Sequence, residues 1–364
     1  MSNRSAWRTA AVTWVEARIY VAVAFAVSSI WVDRFGSKPS TAPVSQGLLA
    51  WDGEWYRQIA DQGYAGGDDP AVRFFPLFPL VGRIVGWLVG TELGLVVVAN
   101  SAALVAAVGL YQLTLQETGD HRTAKNAARL LAIFPSAFVL VLAYSEGLFL
   151  ALAIGTVVAL RARRWWTAAL LAYLAGLTRP VAGFLALPAL LHGFQARRRL
   201  SNNPRDVIGA GLSIVAAPAG TLTFLIWCRN ALGNGWAPIE QQELLRGSST
   251  EPIGRLWTAF TEGVAGDEGE LFHFFAAIAI LVLLVVAIRN LSADLLLYAV
   301  PSVVFLIAAE NLNSMERYAL STFPLVIAAA LMSRQGRLGK WILPIAALGM
   351  VAVCTLSLNG AYVP

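Results

Sequence analysis

Trp51-Asp52-Gly53-Glu54-Trp55-Tyr56 stands in the first long polar gap of the chain, directly after its first hydrophobic span. It runs on into Ile59-Ala60-Asp61-Gln62-Gly63-Tyr64 and then into Phe74-Phe75-Pro76-Leu77-Phe78-Pro79. Trp51, Trp55, Ile59 and Gln62-Gly63 recur every three to four residues, the period of a helix with one apolar face. The carboxylates Asp52 and Glu54 lie among Trp and Tyr, side chains that favour a membrane–water boundary. Ionisable groups are costly beside hydrocarbon and are kept there for a function. The stretch reads as a short amphipathic helix along a membrane surface.

Composition supplies the membrane. Hydrophobic residues make up 57% of the 364 and charged residues 13%, against about 25% charged in soluble domains. Mean hydropathy is +0.62. Arg4 and Arg8 precede a long apolar span with no small-residue cleavage site, so that span is expected to stay as an anchor. Cys228 and Cys354 lie in or beside apolar runs, which argues against a disulfide framework. The pI of 9.4 does not imply nucleic acid, because membrane spans interrupt the basic residues and leave no basic domain to hold a duplex.

A spanning helix takes about 20 apolar residues. By that measure the chain is an all-α transmembrane bundle, a single domain over 1–364 with about eleven spans. They are expected near 11–32, 93–116, 127–143, 147–161, 165–178, 180–194, 207–229, 271–289, 293–309, 319–333 and 341–360. The runs 127–161 and 165–194 are each split by polar residues, at Tyr144-Ser145-Glu146-Gly147 and Thr178-Arg179-Pro180. Two tilted helices meeting at the outer surface fit each run. Orientation follows from Arg and Lys in short loops. Arg122 and Lys125, Arg161 to Arg164, Arg197 to Arg205, and Arg334 to Lys340 all fall on one side if the N-terminus is cytoplasmic and 74–90 does not cross. The acids then gather outside. The first outer loop (33–92) carries Asp33, Asp52, Glu54, Asp61, Asp68 and Asp69 along with its surface helices, and 230–270 forms a second outer loop.

Several of these residues suit chemistry on a lipid-linked sugar phosphate. A phosphate leaves readily, so the protein has to supply a carboxylate that takes the acceptor's proton and cations that steady the departing anion. Asp52 is the candidate base, although Asp at a helix start is equally a common N-cap. Glu54 forms an acid-x-acid pair with it, a pattern that also holds divalent cations, but no nucleotide-binding pattern accompanies it and no metal is expected. Arg179 and Arg317 sit at expected outer helix ends and are candidate phosphate partners, with Arg73 a third. Snorkelling toward headgroups is the alternative for each. Glu146 lies between two apolar helices, where it can meet a sugar hydroxyl or an arginine. Trp236 and Trp257 read as interface residues. His121, His192 and His273 are scattered, with no metal-ligand spacing.

The chain resembles the PIG-V mannosyltransferases, within the GT-C membrane glycosyltransferases. The likeness runs through Trp51-Asp52, Tyr56, Ile59-Ala60, Gly63-Tyr64 and Phe74 to Pro79, then Phe134-Pro135, Tyr144-Ser145-Glu146, Leu177 to Pro180, Arg317-Tyr318 and Phe323-Pro324. The resemblance implies a GT-C-type bundle and a polyprenyl-phosphate mannose donor, with no cofactor. It puts the general base of the first outer loop on Asp52, and implies an inverting transfer to a lipid or glycan acceptor that leaves an α-mannoside. Tyr56, Glu146, Arg179, Arg317 and Tyr318 fall in the matching blocks and are expected, with Glu54 and Arg73, to contact substrate. A transporter or flippase for a polyprenyl-linked sugar is the competing reading. It calls for inverted repeats and mid-membrane ionisable residues, and no repeat is visible.

The orientation is open to a direct check. A reporter active only outside the cytoplasm is expected to work when fused within 66–69 or 247–250 and to be silent within 197–203. An active reporter at 200 overturns the orientation.

Overall fold

The computed structural model describes residues 2–35, 43–200, 203–247 and 250–362. The part of the first loop at 36–42 and the fusion points 201, 202, 248 and 249 lie outside the described residues. The described chain is helical throughout, with no strand. Five helices are long and apolar enough to cross a membrane. Among the described residues they belong to α1 (Ser2–Phe35), α4 (Thr91–Thr118), α9 (Pro204–Leu232), α12 (Glu268–Asn290) and the stretch Gly336–Leu358, which ends in α17 (Ile342–Leu358). Between them pack α5 (His121–Ile133), α6 (Glu146–Arg161), α7 (Trp165–Gly176), α8 (Ala186–Leu200), α13 (Ala293–Ile307) and α15 (Phe323–Met332).

Polar contacts show which ends share a side. Arg161, closing α6, binds Glu117 near the end of α4 (2.7 Å) and Asp294 at the start of α13 (2.8 Å). Asp294 also meets His192 of α8 at 3.1 Å. Arg334, just past α15, reaches Asp120, the N-cap of α5 (3.5 Å). Asn3 and Ser5 of α1 hydrogen-bond Gln112 and Tyr111 of α4. The N-terminus and the arginines at 161 and 334 therefore occupy one end of the bundle, here called the basic end. Two charged groups inside the bundle find close partners. Arg129 of α5 makes a two-pronged contact with Glu16 of α1, at 2.5 and 2.9 Å. The Arg18 guanidinium lies 3.7 Å over the Trp14 ring.

The splits in the sequence are real breaks, but their form differs from a pair of plain helices. The run 127–143, expected as one span, is helical only from His121 to Ile133. Pro135 excludes its predecessor from helical geometry, and Phe134 turns out at ψ 150. The chain continues as a buried 3-10 turn, Ala137–Leu140. Its freed backbone groups find partners elsewhere: Val141 O accepts from the Asn100 side chain (2.9 Å) and Ala143 N donates to Leu48 O (2.8 Å). Likewise 180–194 begins as a 3-10 turn, Pro180–Leu185, before α8. The run 319–333 is divided at Thr322 into α14 (Met315–Ser321) and α15. Non-helical backbone at membrane depth is tolerated only where protein satisfies it.

The segment 74–90 forms α3 (Leu77–Val89), whose 13 residues reach only about 20 Å, short of the roughly 30 Å of hydrocarbon. It folds back on α4, Gly82 and Gly86 lying against Gly94 and Leu95, while Leu77 N donates to Leu177 O at 3.1 Å. Both of its ends lie away from the basic end.

The tightest helix pair is α7 with α9. A Cβ on Gly176 would sit 2.1 Å from Ala217 O, and one on Gly220 would sit 2.2 Å from Tyr173 O. Small residues let two backbones approach this closely, which is what holds helices together in lipid. Gly220→Ala is expected to cost about 1–3 kcal/mol through overpacking and to lower the thermal unfolding temperature in detergent. Gly211→Ala, on the same helix with nothing within 4 Å of the added Cβ, is expected to match or exceed the wild type, since Ala is the better helix former.

Candidate active site

At the end opposite the basic loops, four breaks in the helical backbone converge. α2 (Asp52–Gln62) supplies Asp52 from its first turn, α6 supplies Glu146 from its first turn, the kink after α7 supplies Arg179, and α14 supplies Arg317. Positioning both carboxylates at helix N-termini gives them the favourable end of the helix dipole.

Arg317 joins the two acids. Its Nη1 donates to Asp52 Oδ2, and its Nε lies 3.4 Å from Glu146 Oε1. Glu146 Oε1 also accepts from Arg179 Nη1. Glu146 is 1% exposed and Arg317 5%. Burial disfavours the charged carboxylate of Glu146, but Arg179 and Arg317 outweigh it and hold the group below the usual carboxylate range. Glu146 Oε2 is buried and has no hydrogen-bond partner.

Aromatic rings floor the cluster. The Tyr318 ring is faced by three guanidinia, Arg246 at 4.8 Å and Arg179 and Arg317 each at 4.9 Å. Burial raises the Tyr318 phenol, yet Arg317, Arg179 and Arg246 together bring it below its ordinary value. The Tyr144 ring lies 5.3 Å from the Arg317 guanidinium, and its hydroxyl accepts from Asp52 N at 3.3 Å. Tyr56 is buried and donates to Ser145 Oγ at 2.8 Å, one residue from Glu146.

The structure sorts the residues expected from sequence. Asp52, Glu146, Arg179, Arg317 and Tyr318 come together, with Tyr56 behind them. Asp52 is not an N-cap: the cap position is Trp51, at φ 62, and no side chain caps the helix. Glu54 and Arg73 lie elsewhere. Glu54 points to the other side of α2, where Arg57 takes it at 2.5 Å, and its side chain is 44% exposed. Arg73 stacks on Phe74 (4.8 Å) and Trp55 (5.5 Å). Asp61 pairs with Arg57, and Asp69 caps a 3-10 turn. Trp236 and Trp257 are 62% and 65% exposed, as interface residues are.

Two features were missed. Arg246 comes from α10 (Ala237–Arg246) in the second loop; its signal was that of a base in an acid-rich segment. His273 of α12 binds Glu316 Oε1 at 2.9 Å, and the hydroxyl of Tyr362 donates to Glu316 Oε2 at 2.8 Å. A lone histidine inside Phe272-His273-Phe274-Phe275 was the signal there. This second buried network turns Glu316 away from the arginines and ties α14 to α12.

Residues 38–194 match the family model of the PIG-V mannosyltransferases. That stretch holds Asp52, Glu146 and Arg179; Arg246 and Arg317 lie beyond it. No curated protein matches the chain by sequence. The fold is similar to that of ArnT from Cupriavidus metallidurans, solved bound to undecaprenyl phosphate, with a TM-score of 0.51 and 14% identity over 94% of this chain and 76% of that one. The archaeal oligosaccharyltransferase AglB from Archaeoglobus fulgidus, in complex with an inhibitory peptide and a dolichol-phosphate, aligns with a TM-score of 0.44 and 14% identity. This chain covers 56% of the length of AglB, and 95% of this chain is aligned.

Breaking a buried pair strands the other charge at about 3–5 kcal/mol, whereas exposed pairs are worth about 0–1 kcal/mol. Glu146→Gln is therefore expected to lower thermal stability clearly, and Glu54→Gln to leave it within error. Equal effects in differential scanning of the two purified variants contradict this assignment of burial.

Proposed function

We propose that the protein transfers mannose from polyprenyl-phosphate mannose to a hydroxyl of a lipid or glycan acceptor at the outer face of the membrane. One observation carries the reading: Asp52, within the stretch that matches the mannosyltransferase family, is held by a buried guanidinium in a cluster with an excess of positive charge. That is the pairing this transfer needs, a fixed carboxylate beside cations suited to a phosphate.

In this reading Asp52 takes the proton of the acceptor hydroxyl, and that oxygen attacks the anomeric carbon of mannose. The bond from that carbon to the phosphate oxygen breaks, and the electron pair leaves on the carrier phosphate. Attack opposite the leaving group inverts the centre, turning a β-linked donor into an α-mannoside. Arg317 holds Asp52 in place beforehand. Glu146 Oε2, a buried acceptor without a donor, suits a sugar hydroxyl. Tyr318, which keeps some exposure, suits a contact to the sugar, while Tyr144 is fully buried. Glu54 and Arg73, outside the cluster, suit contacts to a large acceptor approaching along the membrane surface.

Purified protein incubated with polyprenyl-phosphate mannose and a membrane lipid extract is expected to add a hexose to one lipid class, seen by mass spectrometry. Asp52→Asn keeps the size of the side chain and removes the base, so turnover is expected to fall about 10²-fold or more, with donor binding and melting temperature retained. Wild-type turnover in a folded Asp52→Asn protein removes Asp52 as base.

A further inference from the structure

Charge counting around Tyr318 leaves a remainder. Three guanidinia face its ring, those of Arg179, Arg246 and Arg317. Two carboxylates answer them: Glu146 takes Arg179 and shares Arg317, and Asp52 takes Arg317. Among the described residues no carboxylate pairs with Arg246; the one hydrogen bond of its side chain is a long contact, 3.5 Å, from Nη2 to Asn311 O. Its Nε is buried with no acceptor.

A pocket opens beside Arg246, between the 3-10 turn at Val181 and α13, and is lined further by Ser302, Phe305, Tyr318 and Ser321. Ser321 is 2% exposed, and its hydroxyl also has no partner. Two buried hydrogen-bond donors thus border one pocket without an acceptor between them. Buried donors are almost always satisfied, and an orphan calls for a reason. Two orphans and an unbalanced cation call for the same thing, an anion rich in acceptor oxygens. The outer rim is apolar. Phe305 is 56% exposed and Val304 51%, and the exposed face continues along α13 through Val300 and Leu297.

We propose that this pocket is an anion subsite for a phosphate ester carried on a lipid, with Arg246 and Ser321 as the phosphate contacts and the exposed face of α13 as the track for the lipid chain. The proposal rests on the glycosyl-transfer reading and relocates its phosphate contact. Arg179 and Arg317, expected from sequence to grip the phosphate, already have carboxylate partners, while Arg246 is uncommitted. An anion here would bring the charge of the cluster to balance without displacing either carboxylate.

The test is equilibrium binding of radiolabelled undecaprenyl phosphate to the full chain in phosphatidylcholine nanodiscs, with unlabelled competitors. Arg246→Gln is expected to weaken binding about ten-fold or more, and Ser321→Ala about three-fold, as for the loss of a charged and a neutral hydrogen bond. Ser321→Ala removes an unpartnered hydroxyl, so it is expected to fold normally and decides the matter if Arg246→Gln does not fold. Undecaprenol, lacking the phosphate, is expected not to compete. Inorganic phosphate is expected to compete only at great excess; competition at equal concentration would overturn the lipid source. Wild-type affinity in the folded variants, or no binding by the wild type, overturns the subsite. Hexose transfer measured on the same samples separates the two ideas. Transfer that persists with binding independent of Arg246 and Ser321 sinks the subsite and spares the reading. Binding that depends on them without any transfer does the reverse.

Discussion

The contact of Arg317 with Asp52 and Glu146 is the constraint on which the site depends. A guanidinium and two carboxylates in a largely apolar bundle can coexist only if each is answered at close range, because an isolated buried charge is far costlier than a paired one. Meeting that requirement fixes α2, α6 and α14 relative to one another. The price falls on the backbone: each charged group enters from a point where a helix starts, stops or kinks, so the carbonyls and amides freed there need their own partners. Val141 O with Asn100 and Ala143 N with Leu48 are two such repairs. Trp51 adds a third kind of accommodation. It holds a left-handed φ of 62 that a residue with a side chain seldom adopts, and its indole is anchored to Ser357 O at 3.1 Å.

Much of this could be read from sequence because membranes make polar residues conspicuous. Tyr144-Ser145-Glu146 and Thr178-Arg179-Pro180 interrupt apolar runs, and both interruptions lead to the cluster. Arg317-Tyr318 stood out in the same way. The ends of α5 and α8 did not, because a buried 3-10 turn is as hydrophobic as the helix beside it; 137–140 and 181–185 are apolar without being α-helical. Prolines 135 and 180 were the available clues. Within α2 the sequence could not say which of Asp52 and Glu54 turns inward. Two residues apart on a helix they face nearly opposite ways, and only the position of Arg317, far along the chain, selects Asp52.

Arg246 was hidden for a different reason. It lies in a loop rich in charge, where one more arginine carries no information, and it acquires meaning only when the loop folds over Tyr318. His273 was hidden by the reverse bias. An isolated histidine in an aromatic run is more often a packed core residue, and its partner Glu316 is 43 residues away.

The pairing of Asp52 with Arg317 spans 265 residues, and that of Trp51 with Ser357 spans 306. Contacts this distant in sequence cannot form as the chain emerges; they wait for the last helices to arrive. Through most of its synthesis the inserted protein would carry Asp52 without its cation and Glu146 with only part of its own. The charged cluster is thus among the last parts of the bundle to be completed. A nascent chain stalled in the bilayer before Arg317 arrives would hold carboxylates there whose cation has not yet been made, at the electrostatic cost of unpaired buried charge.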